Sequence, residues 1–207
     1  MVAAVVGLTV LAAATAPPAA KAATPEDRRV HAIGTRTATL VDDTRSTPEV
    51  PAIGVAASDR RTIAVSVWYP ARGAATVAPT TDAPAARGRF PLIIYAPGNG
   101  AQAATSPAVV PSWAALGYVV LALDFPVSSR ARQNLDAVDD WAAQPDDVRF
   151  VLDAALRGEG IAGTGPTIDR RRVGLAGHSL GAITVLGLAF GTDPDPRVDA
   201  VVTFAGI

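Results

Sequence analysis

The sequence predicts an α/β fold with a mostly parallel sheet flanked by helices, and three observations carry that prediction. Residues 91–96 and 118–123 are continuous apolar runs, typical of strands buried on both faces of a parallel sheet. Helical patterns alternate with strands from Phe90 onward. A short apolar run also leads into Gly177-His178-Ser179-Leu180-Gly181 and then into a further helical pattern. Right-handed crossovers are expected to join these strands.

Two strands are expected before that alternation starts. Alternating residues at 36–41 and 62–69 predict them, with a turn-rich connection at 42–51. Because a short loop joins them, we expect an antiparallel pair at one edge of the sheet. Pro70 is expected to stop the second strand. Residues 71–89, rich in Ala, Pro, Thr and Gly, predict a surface loop without internal structure.

The remaining elements follow from apolar periodicity and from the turn residues between them. In chain order they are a strand at 91–96, a helix from about Ala108 to Leu116, a strand at 118–123, a loop with a short helix around 135–141, a helix starting at Pro145 and ending at Gly158 and Gly160, the strand and helix around Ser179, a turn at 191–196 and a strand at 198–204.

Composition excludes several classes of function. The 207 residues are 49% hydrophobic with a net charge of −1, which suits one domain with a sizeable core and argues against a nucleic-acid partner, which needs a basic face. The chain has no cysteine, which excludes disulfides, thiolate zinc sites and cysteine nucleophiles. Its one lysine, Lys21, argues against Ser-Lys dyads and Schiff bases. The two histidines, His31 and His178, lack metal-ligand spacing, so no metal and no cofactor are expected.

Residues 1–22 are expected to be a secretory signal peptide, which predicts an extracellular protein. The apolar run at 2–14 is too short to span a bilayer comfortably, and Ala20-Lys21-Ala22 is a small-x-small cleavage pattern, so no stable membrane span is expected. No Lys or Arg precedes the run; either the true start lies upstream or the signal is atypical, and an uncleaved anchor is the alternative. Residues 23–54 predict a flexible lead-in and the first strand.

The segment 177–181 predicts a sharp strand-to-helix corner with Ser179 at its apex as a nucleophile. Gly177 and Gly181 leave room for the close approach of strand and helix that such a corner needs. The hydroxyl would then stand clear of the sheet at a helix N-terminus, where the amides favour negative charge. The alternative is a glycine-rich turn without chemistry. His178 is expected to point elsewhere, as a packing or loop-contacting residue.

Serine hydrolysis also needs donors for the developing oxyanion and a base. The backbone N–H of Leu180 is one candidate donor, and the N–H of Asn99, in the loop 97–100 after a predicted strand, is the other. The Asn99 side chain could also reach substrate, or Asn99 could simply form a turn. Only aspartates follow Ser179 and no histidine does; Asp193, Asp195 and Asp199 are expected to be solvated turn or strand-start residues. His31 has nothing in its setting that points to the site.

Taken together, several segments resemble the α/β-hydrolases, in pattern especially the secreted group of dienelactone-hydrolase-like, platelet-activating-factor-acetylhydrolase-like and cutinase-like esterases. The segments that carry the resemblance are 62–71, 90–98, 115–120, 146–153, 168–173 and 177–181. The resemblance implies an eight-stranded sheet and a carboxylic ester hydrolase with Ser179 as nucleophile. It supports Asn99 and Leu180 as oxyanion donors, and it implies a small-molecule, lipid or polyester ester as substrate.

Relatives place the acid after the sixth or seventh strand and the histidine after the eighth. Here the sixth predicted strand runs into 204–207 and nothing follows. We therefore expect 55–207 to be an incomplete, C-terminally truncated hydrolase domain. Strands 7 and 8, the triad acid and the histidine are then not present in this chain, and the last strand becomes an exposed apolar edge. Such a chain is not expected to turn over esters appreciably.

Two other functions stay open. Gly98-x-Gly100-x-x-Ala103 after a strand, with Asp124 at the end of the next strand, resembles a dinucleotide-binding motif. Against it, Pro97 opens a loop, and Ser106, Pro107 and Pro111 are expected to interrupt the helix that should follow. The absence of a histidine after Ser179 also suits a non-catalytic, secreted α/β-hydrolase-like binding protein.

Overall fold

The structure, a computed structural model, describes residues 30–75, 78–103, 109–130, 140–159 and 167–205. Within them, seven strands and three helices follow in the order β1 (Ala32–Asp42), β2 (Arg61–Ala71), β3 (Thr80–Thr81), β4 (Arg89–Ala96), α1 (Val109–Ala115), β5 (Val119–Asp124), α2 (Gln144–Arg157), β6 (Thr167–His178), α3 (Leu180–Phe190) and β7 (Ala200–Phe204). The expected signal peptide and most of the short helix expected around 135–141 lie outside the described residues. In the described part, no helix is long and apolar enough to cross a membrane.

The strands form one mixed sheet in the order β3-β1-β2-β5-β4-β6-β7. The four strands β5, β4, β6 and β7 are parallel to one another, whereas β1 and β2 pair antiparallel and β2 pairs antiparallel with β5. β5, which follows β4 in the chain, pairs with one edge of β4, and β6 later pairs with its other edge, so the strand order reverses at β4. Open α/β sheets bind ligands at such a reversal, beyond the carboxyl ends of the strands. The predicted α/β class with a mostly parallel sheet is confirmed.

Helices cover both faces of the sheet, which explains why residues 91–96 of β4 and 119–123 of β5 are all apolar. In β5, Leu121 and Leu123 pack in the same cluster as α2 and α3, while Val120 and Ala122 pack with Val110 of α1 on the other face. Side chains alternate between the faces of a strand, so a strand buried on both sides needs apolar residues at every position.

The structure corrects two expectations for the first half of the chain. Pro70 does not stop the second strand, because β2 continues to Ala71. The ladder with β5 has already ended at Trp68, so the missing N–H of Pro70 breaks no hydrogen bond on that side. The connection before β2, residues 43–60, is also longer than a short loop and carries antiparallel bridges of its own, such as Thr47 with Ser58.

The segment 71–89 is not a loop without structure, contrary to the sequence prediction. Its described residues include β3, which pairs with β1, and a bridge between Ala71 and Ala85. Ala83 and Ala85 are buried, and the hydroxyl of Tyr69 donates a hydrogen bond to the carbonyl of Ala83 over 2.8 Å. Small side chains let this segment pack against the sheet, which its turn-rich composition does not reveal.

β7 forms one edge of the described sheet. Val202 and Phe204 on this strand are 49% and 37% exposed. The ring of Phe204 also lies 6.2 Å from that of Trp113 in α1. The edge is therefore apolar, as the sequence predicts for the last strand.

A buried ion pair fixes the start of α2 against β2. Arg61 is 1% exposed and Asp147 is 0% exposed. The guanidinium of Arg61 donates to both carboxylate oxygens of Asp147, over 2.6 and 2.7 Å, and to Asp140 over 2.9 Å. Burial raises the pKa of the Asp147 carboxyl, and the guanidiniums of Arg61 and Arg45 beside it oppose that shift. The pair joins residues that are 86 positions apart in sequence.

Replacing Asp147 with Asn tests the weight of this pair. The substitution removes one of the two carboxylates that the buried guanidinium of Arg61 contacts, so we expect the free energy of unfolding in urea to fall by about 3–5 kcal/mol. Asp43→Asn is the matched control: its partner Arg60 lies 3.2 Å away and both side chains are exposed. That control should change stability by less than about 1 kcal/mol. Equal effects of the two substitutions would contradict this account.

Candidate active site

Ser179 lies at the sharp corner between β6, which ends at His178, and α3, which begins at Leu180. Its backbone has φ 52° and ψ −118°, in a region that L side chains rarely adopt. Its N–H donates to the carbonyl of Phe204 in β7 over 3.0 Å, and its own carbonyl accepts from Ala182 over 2.9 Å. The side chain is exposed. The corner therefore holds a strained serine with its hydroxyl side open to solvent.

Two glycines make this corner possible. A Cβ on Gly177 would lie 2.2 Å from the carbonyl oxygen of Gly181, and a Cβ on Gly181 would lie 2.1 Å from the carbonyl oxygen of Ala96. Both distances are far below van der Waals contact, and the obstructing atoms are backbone atoms that cannot turn away. The backbones of β6, α3 and β4 therefore meet at a spacing that no side chain permits.

The loop after β4 lies directly against the serine. A Cβ on Gly98 would lie 3.2 Å from the Cβ of Ser179. The N–H of Gly100 donates to the carbonyl of Ser128 over 2.8 Å, and the N–H of Ala101 closes a turn onto the carbonyl of Gly98 over 3.1 Å. Asn99, half-buried, is the residue between these fixed points.

Three of the residues singled out from the sequence thus come together at the carboxyl edge of the sheet: Asn99, Ser179 and Leu180. Leu180 is the first residue of α3, and the N–H groups of a first helical turn have no acceptor within their own helix. That end of a helix also favours negative charge. The first turn of α3 and the loop after β4 therefore both lie beside the exposed serine.

The contacts of the two histidines do not give either of them a role beside Asn99, Ser179 and Leu180. His178 is exposed at the end of β6, and its Nδ1 would lie 3.1 Å from a Cβ on Gly98, so its ring contacts the loop after β4. The ring of His31 packs edge-on against Phe90, with ring centroids 5.5 Å apart. The backbone N–H of His31 donates to the carbonyl of Ala115. Because Phe90 belongs to the amino end of β4, His31 lies at the edge of the sheet opposite Ser179.

The aspartates after the serine are not all solvated, and the expectation is wrong for Asp195. This residue is 6% exposed. The guanidinium of Arg197 donates to both of its carboxylate oxygens, over 2.8 and 2.6 Å, and holds the pKa of Asp195 below its usual range. Arg197 follows so closely in sequence that its side chain folds back on the turn. Asp193 is exposed, as expected, beside Arg149, and Asp199 accepts a hydrogen bond from the N–H of Val173.

The dinucleotide motif finds little support in the geometry. The N–H groups of Gly100 and Ala101 already donate to protein carbonyls. The carboxylate of Asp124 accepts a hydrogen bond from the N–H of Ala103, so protein backbone stands where a ribose would bind. Burial raises the pKa of Asp124. In the described part of the chain, no three His, Asp or Glu side chains converge in a group that could hold a metal ion.

A buried polar chain behind the corner was not singled out from the sequence. It joins Ser128, Gln144 and Thr184, which are 1%, 0% and 1% exposed. The amide of Gln144 donates to the hydroxyl of Ser128 over 2.8 Å and accepts from the hydroxyl of Thr184 over 2.6 Å. One signal was available: Gln144 and Thr184 are polar residues on helices whose other inward positions are mostly apolar.

The described sheet of seven strands, flanked by three helices and carrying a serine at a strand-to-helix corner, has the α/β-hydrolase fold. Among solved structures, it is similar to a ferulic acid esterase from Streptomyces cinnamoneus, with 26% sequence identity and a TM-score of 0.63. The match covers 87% of this chain and 59% of that esterase, so this chain spans under two thirds of its length. No protein-family profile matches the sequence, and no curated protein matches it either.

That likeness supports a hydrolase-like fold and a general resemblance to esterases. It does not distinguish among the dienelactone-hydrolase-like, acetylhydrolase-like and cutinase-like groups that the sequence resembles.

Gly181→Ala should disrupt the corner, because its methyl group would meet the backbone of Ala96 at 2.1 Å. We expect a loss of about 3 kcal/mol or more in the free energy of unfolding, since the clash can be relieved only by moving β4 from α3. Gly174→Ala on β6 is the matched control, with nearest atoms at 3.8 Å. Thermal unfolding measures both. A Gly181→Ala protein as stable as the Gly174→Ala protein would show that the three backbones are not tightly packed.

Proposed function

We propose that this protein is a serine carboxylic-ester hydrolase that forms an acyl-enzyme on Ser179. The observation that carries the proposal is the exposed, positive-φ serine between β6 and α3, with the loop 97–100 packed against it. The α/β-hydrolase fold and the likeness to an esterase support it.

In the proposed reaction, the Oγ of Ser179 attacks the carbonyl carbon of the ester and the carbonyl oxygen becomes an oxyanion. The backbone N–H groups of Leu180 and Asn99 stabilise that charge. Collapse of the intermediate breaks the bond from the acyl carbon to the alcohol oxygen, and water then hydrolyses the acyl-enzyme. A general base takes the serine proton and returns it to the leaving alcohol. We assign that role to neither His31 nor His178.

The proposed substrates are small-molecule, lipid or polyester esters. Since the structural relative is a ferulic acid esterase, esters of ferulic acid belong among the first compounds to assay, beside short p-nitrophenyl esters. We also propose that residues 1–22 direct secretion and that 55–207 form the hydrolase domain, with residues 23–54 as lead-in and first strand. Kinship with the dienelactone-hydrolase-like, acetylhydrolase-like or cutinase-like groups is part of the same proposal.

A second candidate function is ligand binding without catalysis. One observation favours it: His31 packs on Phe90 at the edge of the sheet opposite Ser179, and the ring of His178 contacts the loop after β4. The coding sequence past Ile207 discriminates between the two. An in-frame Asp and His there support the hydrolase, whereas a stop codon directly after Ile207 favours the binding protein.

Ser179→Ala tests the nucleophile. In the protein expressed from its complete coding sequence, we expect a fluorophosphonate probe to label the wild type and the variant to lose labelling and ester turnover to background, because the attacking oxygen is gone. Ser58→Ala, at an exposed serine between β1 and β2, is the control and should label like the wild type. Labelling that survives in Ser179→Ala would refute the assignment.

Asn99→Ala tests whether Asn99 acts through its backbone. The substitution keeps the N–H in place, so most of the ester turnover should remain. A kcat/KM for p-nitrophenyl acetate within about tenfold of wild type is expected, since losing an oxyanion donor costs about 100- to 1,000-fold in kcat. A loss above about a hundredfold would show that the side chain itself is required.

A further inference from the structure

Hydrogen bonds made by Gln144 link two residues, Ser128 and Thr184, that contact the two sides of the proposed oxyanion site. On one side, Gly100 next to Asn99 donates its N–H to the carbonyl of Ser128 over 2.8 Å. The hydroxyl of Ser128 accepts from Nε2 of Gln144 over 2.8 Å. On the other side, Thr184 donates its hydroxyl to Oε1 of Gln144 over 2.6 Å and lies 3.2 Å from the carbonyl of Leu180.

Gln144 is suited to hold these two sides at a fixed separation. Its carboxamide is planar and has a hydrogen-bonding atom at each end, so tilting the group out of its plane weakens both bonds at once. The side chain is fully buried, where an unmade hydrogen bond costs about 1–3 kcal/mol. Gln144 is also the first residue of α2, whose first turn the Arg61–Asp147 ion pair fixes to β2. The carboxamide therefore has little freedom to follow a displaced partner.

We propose that Gln144 is a positioning residue for the oxyanion site: through Ser128 it sets the loop that carries Asn99, and through Thr184 it sets the first turn of α3 that carries Leu180. This inference rests on the proposed esterase function. The two donors belong to segments that are about eighty residues apart in sequence, and a charge shared between them needs both at hydrogen-bond distance at once. Misplacement by about 1 Å in such a site costs about a hundredfold in rate.

A purely structural role for Gln144 makes a different prediction. It would lower the free energy of unfolding and leave the rate of the folded protein unchanged. A positioning role lowers kcat in the folded protein, because the donors meet the oxyanion in the transition state, and leaves KM nearly constant.

The kinetic test uses Ser128→Ala, Thr184→Val, their double variant and Gln144→Met. Each is expressed from the complete coding sequence and assayed with p-nitrophenyl acetate well below its unfolding temperature. We expect Gln144→Met to lower kcat about 10- to 100-fold with KM within about twofold. Ser128 and Thr184 both bond to Gln144, so the double variant should lose less than the product of the two single losses. Thr47→Val is the control, since it removes a buried hydroxyl that donates to the carbonyl of Arg60 over 2.9 Å. Its kcat should equal that of the wild type.

A second measurement does not depend on turnover. In ¹H–¹⁵N spectra of the ¹⁵N-labelled protein, Ser128→Ala and Thr184→Val should each shift the amide signals of both Gly100 and Leu180, whereas Thr47→Val should shift neither. Losses in kcat that multiply independently, or amide shifts confined to the nearer residue in each variant, would overturn the positioning role. If the wild type shows no turnover that depends on Ser179, the proposed function fails, and the spectra still decide whether Gln144 couples the two sides.

Discussion

The close approach of three backbones at the corner is the constraint on which the site depends. Gly177, Gly181 and Ala96 belong to β6, α3 and β4, and the atoms that would obstruct a Cβ at either glycine lie 2.1–2.7 Å away. Because the carboxyl end of β4 at Ala96 packs directly against Gly181, the loop that follows β4 lies beside the corner. It also fixes the helix entry, which leaves Ser179 in a backbone conformation that costs on the order of 1–3 kcal/mol.

Much of the fold was predictable because its information is local. Residues 91–96 of β4 and 119–123 of β5 are apolar at every position, so their burial on both faces was predicted from the sequence alone. The glycines around Ser179 mark a corner that only glycine permits. The errors concern pairing over long distances. Whether Pro70 ends a strand depends on where β5 stops pairing with β2, and the packing of 83–86 depends on a strand that precedes it.

In the candidate site, too, the local features were predicted from the sequence and the contacts between distant residues were not. The site's proposed backbone donors, the N–H groups of Asn99 and Leu180, were predicted from residue order around a strand end and a helix start, and they stay predictions. The side chains behind them were not foreseen. Gln144 and Thr184 are 40 positions apart, and nothing in either neighbourhood of the sequence announces the other. The burial of Asp195 was missed for a related reason: turn composition predicts solvent contact, whereas the paired Arg197 removes it.

Part of the polar interior of this protein is gathered at the start of α2. A hydrophobic replacement for a buried ion pair or a buried amide is often as stable or more so, so burial of Arg61, Asp147 and Gln144 is not explained by stability alone. Their common feature is α2: the ion pair fixes its first turn to β2, and the carboxamide one turn away faces the corner. Apolar side chains can shift past one another at little cost. The bidentate Arg61–Asp147 pair and the hydrogen-bonded carboxamide of Gln144 instead restrict both the distance and the orientation of α2 relative to its neighbours. These contacts fix the orientation of α2 as well as burying it. A fixed α2 is what the strained serine and the two proposed donors, which belong to separate segments, need in order to keep their relative positions.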